Sequence, residues 1–192
     1  MKKIGLTGGI GSGKTTISKV FKILGIPVYN SDEVAKNILN ENELIKKKII
    51  KNFGKQVLTE EKIDNKKISK IIFNQKEKLN FINSIIHPLV KNDFNTWCKK
   101  QKSKYIIKES AIIYKSKSDK ELDYVIFVKT PLETRIKRIQ KRDQKNIEEI
   151  FSIMKNQSPD DFLENKCDYT IKNDDNSFLI EQILKLNEIF IK

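Results

Sequence analysis

No run of about 18 apolar residues occurs in this 192-residue chain, so no part of it reads as a membrane-spanning helix. Met1-Lys2-Lys3-Ile4-Gly5 leads straight into a glycine-rich motif and not into a signal-peptide pattern, and no membrane partner is expected. Cysteine is scarce. Cys98 and Cys167 cannot make a disulfide framework and lack metal-ligand spacing, which points to a reducing, cytoplasmic setting. Histidine occurs once, at His87, and glycine is absent beyond Gly54. Arginine is nearly absent too: of 38 basic residues only Arg135, Arg138 and Arg142 are arginine.

The net charge of +13 invites a nucleic-acid reading. The lysines, however, are spread from Lys2 to Lys192 without a dense stripe or interleaved aromatics, so no nucleic-acid partner is expected. The arginines carry more information. Their spacing places them on one helical face, and a guanidinium binds two phosphate oxygens at once where an ammonium cannot. The other reading of this cluster is a helix tied by surface ion pairs to Glu133 and Asp143.

Along the chain, Lys-Lys-Ile-Gly-Leu-Thr at 2–7 reads as a strand. An amphipathic helix follows from Gly13 through Ile17, Val20, Phe21 and Leu24. Gly25 ends it, and Ile26-Pro27-Val28-Tyr29 reads as a second strand, making a βαβ unit and hence a parallel sheet. From about 42 to 101 the pattern turns helical, which reads as an insertion. Strand patterns resume at 105–108, 124–128 and 168–171, with a closing amphipathic helix over 177–190. A helix is expected to start at Thr130-Pro131-Leu132-Glu133, with Thr130 as its cap and Glu133 completing a capping box. The expected fold is therefore one α/β domain over 1–192: a parallel sheet flanked by helices, with a helical insertion at 42–101.

Five of the seven glycines fall between Gly5 and Gly13, and Gly8-Gly9-Ile10-Gly11-Ser12-Gly13-Lys14-Thr15 fulfils every fixed position of the P-loop pattern. Backbone N–H groups wrap phosphate oxygens only where side chains do not resist the necessary loop conformation, and the following helix turns its positive end to the same anion. Gly9, Ile10, Gly11, Ser12, Gly13, Lys14, Thr15 and Thr16 are thus expected to bind ATP. Lys14 reaches the β- and γ-phosphates, and the Thr15 hydroxyl ligates Mg²⁺. Asn165-Lys166-Cys167-Asp168 spells the guanine-reading pattern of GTPases, but it follows a polar segment instead of an apolar strand. No Asp-x-x-Gly switch exists. These absences favour a small-molecule kinase over a GTPase or a mechanical ATPase.

Several segments together resemble the dephospho-coenzyme A kinase family over nearly the whole chain. They are Leu6 to Thr16; Val28-Tyr29-Asn30-Ser31-Asp32; Phe73-Asn74 with Leu79-Asn80 and Ile85-Ile86-His87-Pro88; Glu109 to Tyr114; Arg135 to Asp143 with Asn156-Gln157; and Asp168 to Asn173. The chain departs from that pattern at Asn30, where a first Asp is common, at Glu109, where Asp is usual, and at Lys115, where an acidic residue is common. The resemblance implies ATP-dependent phosphorylation of the ribose 3′-hydroxyl of dephospho-coenzyme A by a monomer or weak homo-oligomer, with another small nucleotide or hydroxyl compound as the alternative acceptor. It implies that the 42–101 insertion binds substrate and that 135–158 forms a lid, with catalytic roles for Lys14, Asp32, Arg138 and Arg142, and substrate contacts from Thr7, Asp32, His87 and Glu109. By its place after a strand, Asp32 can take the hydroxyl proton, orient the hydroxyl, or cap the next helix. Glu109 can hold Mg²⁺ through water or simply end its strand. His87 reads as a turn or capping residue before Pro88 unless it touches substrate.

Overall fold

The small and apolar residues of Lys2–Thr7 form β1, whose last four positions are all buried, and the chain turns from it through the glycine-rich loop into α1 (Lys14–Ile23). The computed structural model describes residues 1–73, 75–174 and 176–192. They divide into two compact units, one of Met1–Asn30 with Lys100–Lys192, the other of Ser31–Lys99.

The first unit is built on a five-stranded sheet. Besides β1 it contains β2 (Val28–Asn30), β5 (Tyr105–Glu109), β6 (Tyr124–Lys129) and β7 (Tyr169–Lys172), in the order β2-β5-β1-β6-β7. Every pairing is parallel, and β1 in the centre sets Leu6 opposite Glu109 on one side and Ile126 on the other. Parallel strands need crossovers, and these include α6 (Leu132–Asp143), α7 (Ile147–Lys155) and α8 (Asp160–Lys166), with α9 (Leu179–Ile191) following β7. One face of the sheet buries Ile4, Leu6, Tyr105, Ile107, Ile126, Val128 and Ile171 against Ile17 and Phe21 of α1 and Ile183, Leu186 and Phe190 of α9. The alternating residues Ile106, Val125 and Phe127 are buried as well, so both faces are covered, as parallel sheets require.

The start of α6 differs from expectation. Its first flanking residue is Pro131, with no side-chain cap, and the Thr130 hydroxyl instead donates to the Ser12 carbonyl oxygen at 2.9 Å. At its far end Gln144 takes a left-handed conformation (φ 53°), the role a glycine usually fills.

The second unit holds α2 (Ser31–Glu41), α3 (Glu43–Phe53), β3 (Leu58–Thr59), β4 (Lys62–Ile63), α4 (Asn65–Phe73) and α5 (Lys76–Lys99). It begins at Ser31, earlier than the helical pattern at 42, because α2 packs against α3 and α5. The antiparallel β3–β4 pair was not expected; its turn residues Glu60 and Glu61 both have positive φ without the usual Asn or Gly. His87 sits within α5 and not in a turn, since that helix runs on through Pro88. Ile82, Ile86, Val90, Phe94 and Cys98, four apart, form the buried stripe that carries the helix past the break, against a proline cost of about 3 kcal/mol. Asn74 lies outside the described residues. No described helix is long and apolar enough to cross a membrane.

Candidate active site

The loop between β1 and α1 lies at the carboxyl end of the central strand, where neighbouring connections leave in opposite directions and ligands of open α/β sheets collect. Its conformation is fixed by bonds from distant parts of the sheet unit. The Ser12 carbonyl accepts from Thr130 and also from Asn173 Nδ2 at 2.7 Å. The Ile10 N–H donates to Gln157 Oε1 at 2.8 Å, and the Ile10 carbonyl accepts from Arg135 Nε at 3.0 Å. Gly13, with φ +91°, adopts a backbone that resists side chains, and a Cβ there would collide with Asn173 Nδ2.

Lys14 is buried, and its ammonium donates to the carbonyls of Gly8 at 2.8 Å and Gly9 at 3.2 Å, spanning the loop. Thr7, at the end of β1, is buried; Thr15 and Thr16 are exposed in the first turn of α1. The Thr15 hydroxyl donates to Glu109 Oε1 at 2.9 Å, and Glu109, at the end of β5, is only 4% exposed. A hydroxyl and a carboxylate are thus joined next to the loop, both hard oxygen donors. Among the described residues no group of three or more His, Cys, Asp or Glu side chains forms a cage for a metal. That donor set fits Mg²⁺, which keeps several waters and takes one or two protein oxygens together with substrate phosphates. Ser12 Oγ is buried without a hydrogen-bond partner among the described residues, in a loop whose phosphate ligand would add acceptors.

The three arginines of α6 have separate surroundings. Arg135 is buried and pairs with Asp160, Nη1 lying 3.1 and 3.0 Å from its two carboxylate oxygens. Arg138 is half-buried, with Nη1 3.7 Å from where a Cβ on Gly13 would stand. Arg142 is exposed and forks onto Asp143 at 2.7 and 2.8 Å, which raises its pKa. The sequence reading missed the loop supports Thr130, Asn173 and Asp160, and the loop-holding role of Arg135 and Gln157. Of these, Arg135 stood out by its rarity, Thr130 was read as a helix cap, Gln157 and Asn173 lay in segments that resemble the family, and Asp160 carried no signal.

Other motifs resolve into structural parts. Asn165 Nδ2 donates to the Asp161 carbonyl and Asp168 accepts from the Val125 N–H, so the Asn-Lys-Cys-Asp string closes α8 and pins β6. Lys115, one of the departures, donates to the Lys155 carbonyl at the end of α7, where a cation complements the helix dipole. The Tyr114 hydroxyl donates to the Lys166 carbonyl and touches Cys167, whose thiol burial pushes up to about 11. In the helical unit, Asp32 is exposed in the first turn of α2. His87 is half-buried on α5, and desolvation lowers its pKa.

A parallel sheet in this order, with a complete P-loop on its central strand and the Thr15–Glu109 pair beside the loop, defines a P-loop kinase. The family model described as dephospho-CoA kinase matches residues 2–178. A dephospho-CoA kinase of Fusobacterium nucleatum is 38% identical over 97% of this chain and 95% of its own, and one of Bacteroides fragilis is 35% identical over 96% and 90%. The solved structure of a dephospho-CoA kinase from Campylobacter jejuni aligns with a TM-score of 0.67 at 30% identity, covering 98% of this chain and 96% of that one. The chain belongs to the dephospho-CoA kinase family.

Proposed function

We propose that the chain transfers the γ-phosphoryl group of ATP to the ribose 3′-hydroxyl of dephospho-coenzyme A, giving coenzyme A, the last step of that cofactor's synthesis. The single observation that supports this best is the joining of Thr15 and Glu109 beside a complete, pre-shaped P-loop, in a chain that matches this family over residues 2–178. The first-turn amides of α1 and the loop backbone receive the phosphates, and Lys14 moves from the Gly8 and Gly9 carbonyls to the phosphate oxygens. Thr15, with Glu109 acting through water, would hold Mg²⁺, which when bound would supply positive charge to offset that developing on the phosphoryl oxygens.

Asp32 accepts the proton of the attacking hydroxyl or orients it for in-line attack, and Thr7 and His87 contact the acceptor. Arg138 and Arg142 belong to a lid that closes over ATP and stabilises the transferring group. The Arg142–Asp143 contact gives way readily, because exposed pairs contribute at most about 1 kcal/mol. Closure also excludes water that would compete with the ribose hydroxyl. Neither cysteine is in a disulfide, which supports a reducing, cytoplasmic setting.

The test is a coupled assay of ATP consumption with dephospho-coenzyme A beside AMP, with and without Mg²⁺. Turnover with the first acceptor alone, dependent on the metal, is the expected result. Turnover with AMP, or with neither, overturns the assignment.

A further inference from the structure

Ile10 stands in the middle of the glycine-rich loop, yet both ends of its backbone are held from far along the chain. Its N–H donates to Gln157 Oε1 at 2.8 Å across 147 positions, and its carbonyl accepts from Arg135 Nε at 3.0 Å across 125. Arg135 is in turn fixed by the bidentate contact with Asp160, and its side chain is 6% exposed. Gly9, the preceding residue, leaves the space that the guanidinium fills: a Cβ there would collide with Arg135 Nη2 and Cζ. Nearly every other basic residue is lysine, and an ammonium cannot reach Ile10 and both oxygens of Asp160 with fixed geometry.

We propose that Arg135, Gln157 and Asp160 form a clamp that sets the P-loop in its phosphate-binding shape before ATP arrives. They are positioning residues, acting through the Ile10 backbone and not on the phosphates. A run of four glycines among six residues, Gly8 to Gly13, has more backbone freedom to lose than any other segment of comparable length. Fixing the centre of the run removes that loss from the binding step. The clamp therefore acts on ATP affinity, whereas lid arginines act on the transition state. The inference rests on the kinase reading for its purpose, but its test does not need the acceptor.

ATP binding is measured by titration calorimetry, loop order by hydrogen exchange at the Ile10 amide, and folding by circular dichroism and Tm. Arg135→Lys keeps the charge and removes the fork; it is expected to weaken ATP binding about tenfold, the scale of losing a hydrogen bond to a charged group. The KM for ATP should rise in parallel, with kcat at saturating ATP within about threefold of wild type. Gln157→Leu should speed exchange at Ile10 and weaken ATP several-fold. Because Asp160 acts through Arg135, Asp160→Asn should weaken ATP in the wild-type background and add nothing to Arg135→Lys. Should Arg135 variants fail to fold, Gln157→Leu and Asp160→Asn, at partly exposed positions, still decide the matter. Unchanged ATP affinity in those two variants overturns the proposal, as does an Asp160→Asn effect that persists in full beside Arg135→Lys. An active clamp with no phosphorylation of dephospho-coenzyme A would refute the acceptor assignment alone.

Discussion

The two units hold their side chains in opposite ways. In the sheet unit the bonds that shape the site join residues far apart in sequence: Thr15 to Glu109 across 94 positions, Thr130 to Ser12 across 118, Asn173 to Ser12 across 161. In the helical unit the turns are set locally: Asn42 caps α3 through the amides of Leu44 and Ile45, and Asp64 accepts from Lys66, Lys67 and Thr59. Long-range bonds form only when the whole sheet has formed, so the loop is as rigid as the unit's global fold. Local bonds let a segment open on its own. A triphosphate demands one fixed cradle, and the long-range bonds of the sheet unit supply it.

The contrast can be broken most severely at Lys14. Lys14→Ala removes the buried cation of the rigid loop and should cost about 10³-fold in kcat with an unchanged circular dichroism spectrum, on the scale of deleting a transition-state donor. Near-normal turnover would mean that the loop's rigidity serves something other than phosphoryl transfer. Next comes Asp32 in the helical unit: Asp32→Asn should retain ATP affinity by calorimetry and lose about 10²-fold in kcat. Collapse of ATP binding with kcat preserved would move Asp32 to the nucleotide side.

Arg138→Lys and Arg142→Lys should each lower kcat by about tenfold, more than they raise the KM for ATP, opposite to the pattern expected at Arg135. Unchanged kcat in both would reduce those two residues to surface pairing.

The smallest effect concerns His87. Burial holds its imidazole below the ordinary value of 6.5, so the folded chain keeps it neutral where the unfolded chain takes up a proton. Its share of stability is complete above pH 6.5 and is lost as pH falls through the depressed folded value. Urea unfolding between pH 7 and pH 5 should therefore show a steeper loss for wild type than for His87→Gln; equal slopes would place His87 in a solvated setting.

Much of the sheet unit was legible because its signals are local. The glycine spacing from Gly8 to Gly13 announces the loop, and continuous apolar runs such as Val125 to Val128 announce buried strands. What sequence could not show was which side chain the topology brings to the loop. Thr130 beside Glu133 has every local mark of a capping box, yet the parallel order puts Thr130 next to Ser12, and that long-range partner wins. The three arginines share a helical spacing but not an environment. What each faces depends on the ends of β1 and α8, so the grouping was readable and the division into anchor and surface residue was not. In the helical unit, Pro88 suggested a break that the buried stripe of α5 overrides, and Glu60-Glu61 gave no turn signal at all.

That scarcity of glycine also leaves a thermodynamic imprint. Glu60, Glu61, Lys117 and Gln144 all adopt positive φ, between 48° and 66°, in positions that glycine would occupy at ease. Each such residue carries strain of about 1–2 kcal/mol. A glycine there forfeits about 0.4–1 kcal/mol through the freer unfolded chain, leaving a gain near 0.5–1 kcal/mol per site. Glycine at Glu60, Glu61 and Lys117 would together add a few kcal/mol, a sizeable part of the margin by which domains of this size stay folded. At Gln144, which ends the arginine-bearing helix, the same exchange would trade stiffness for mobility. The chain's amino-acid economy has thus left three inexpensive routes to heat resistance, and a fourth position where relief of strain would be felt as motion.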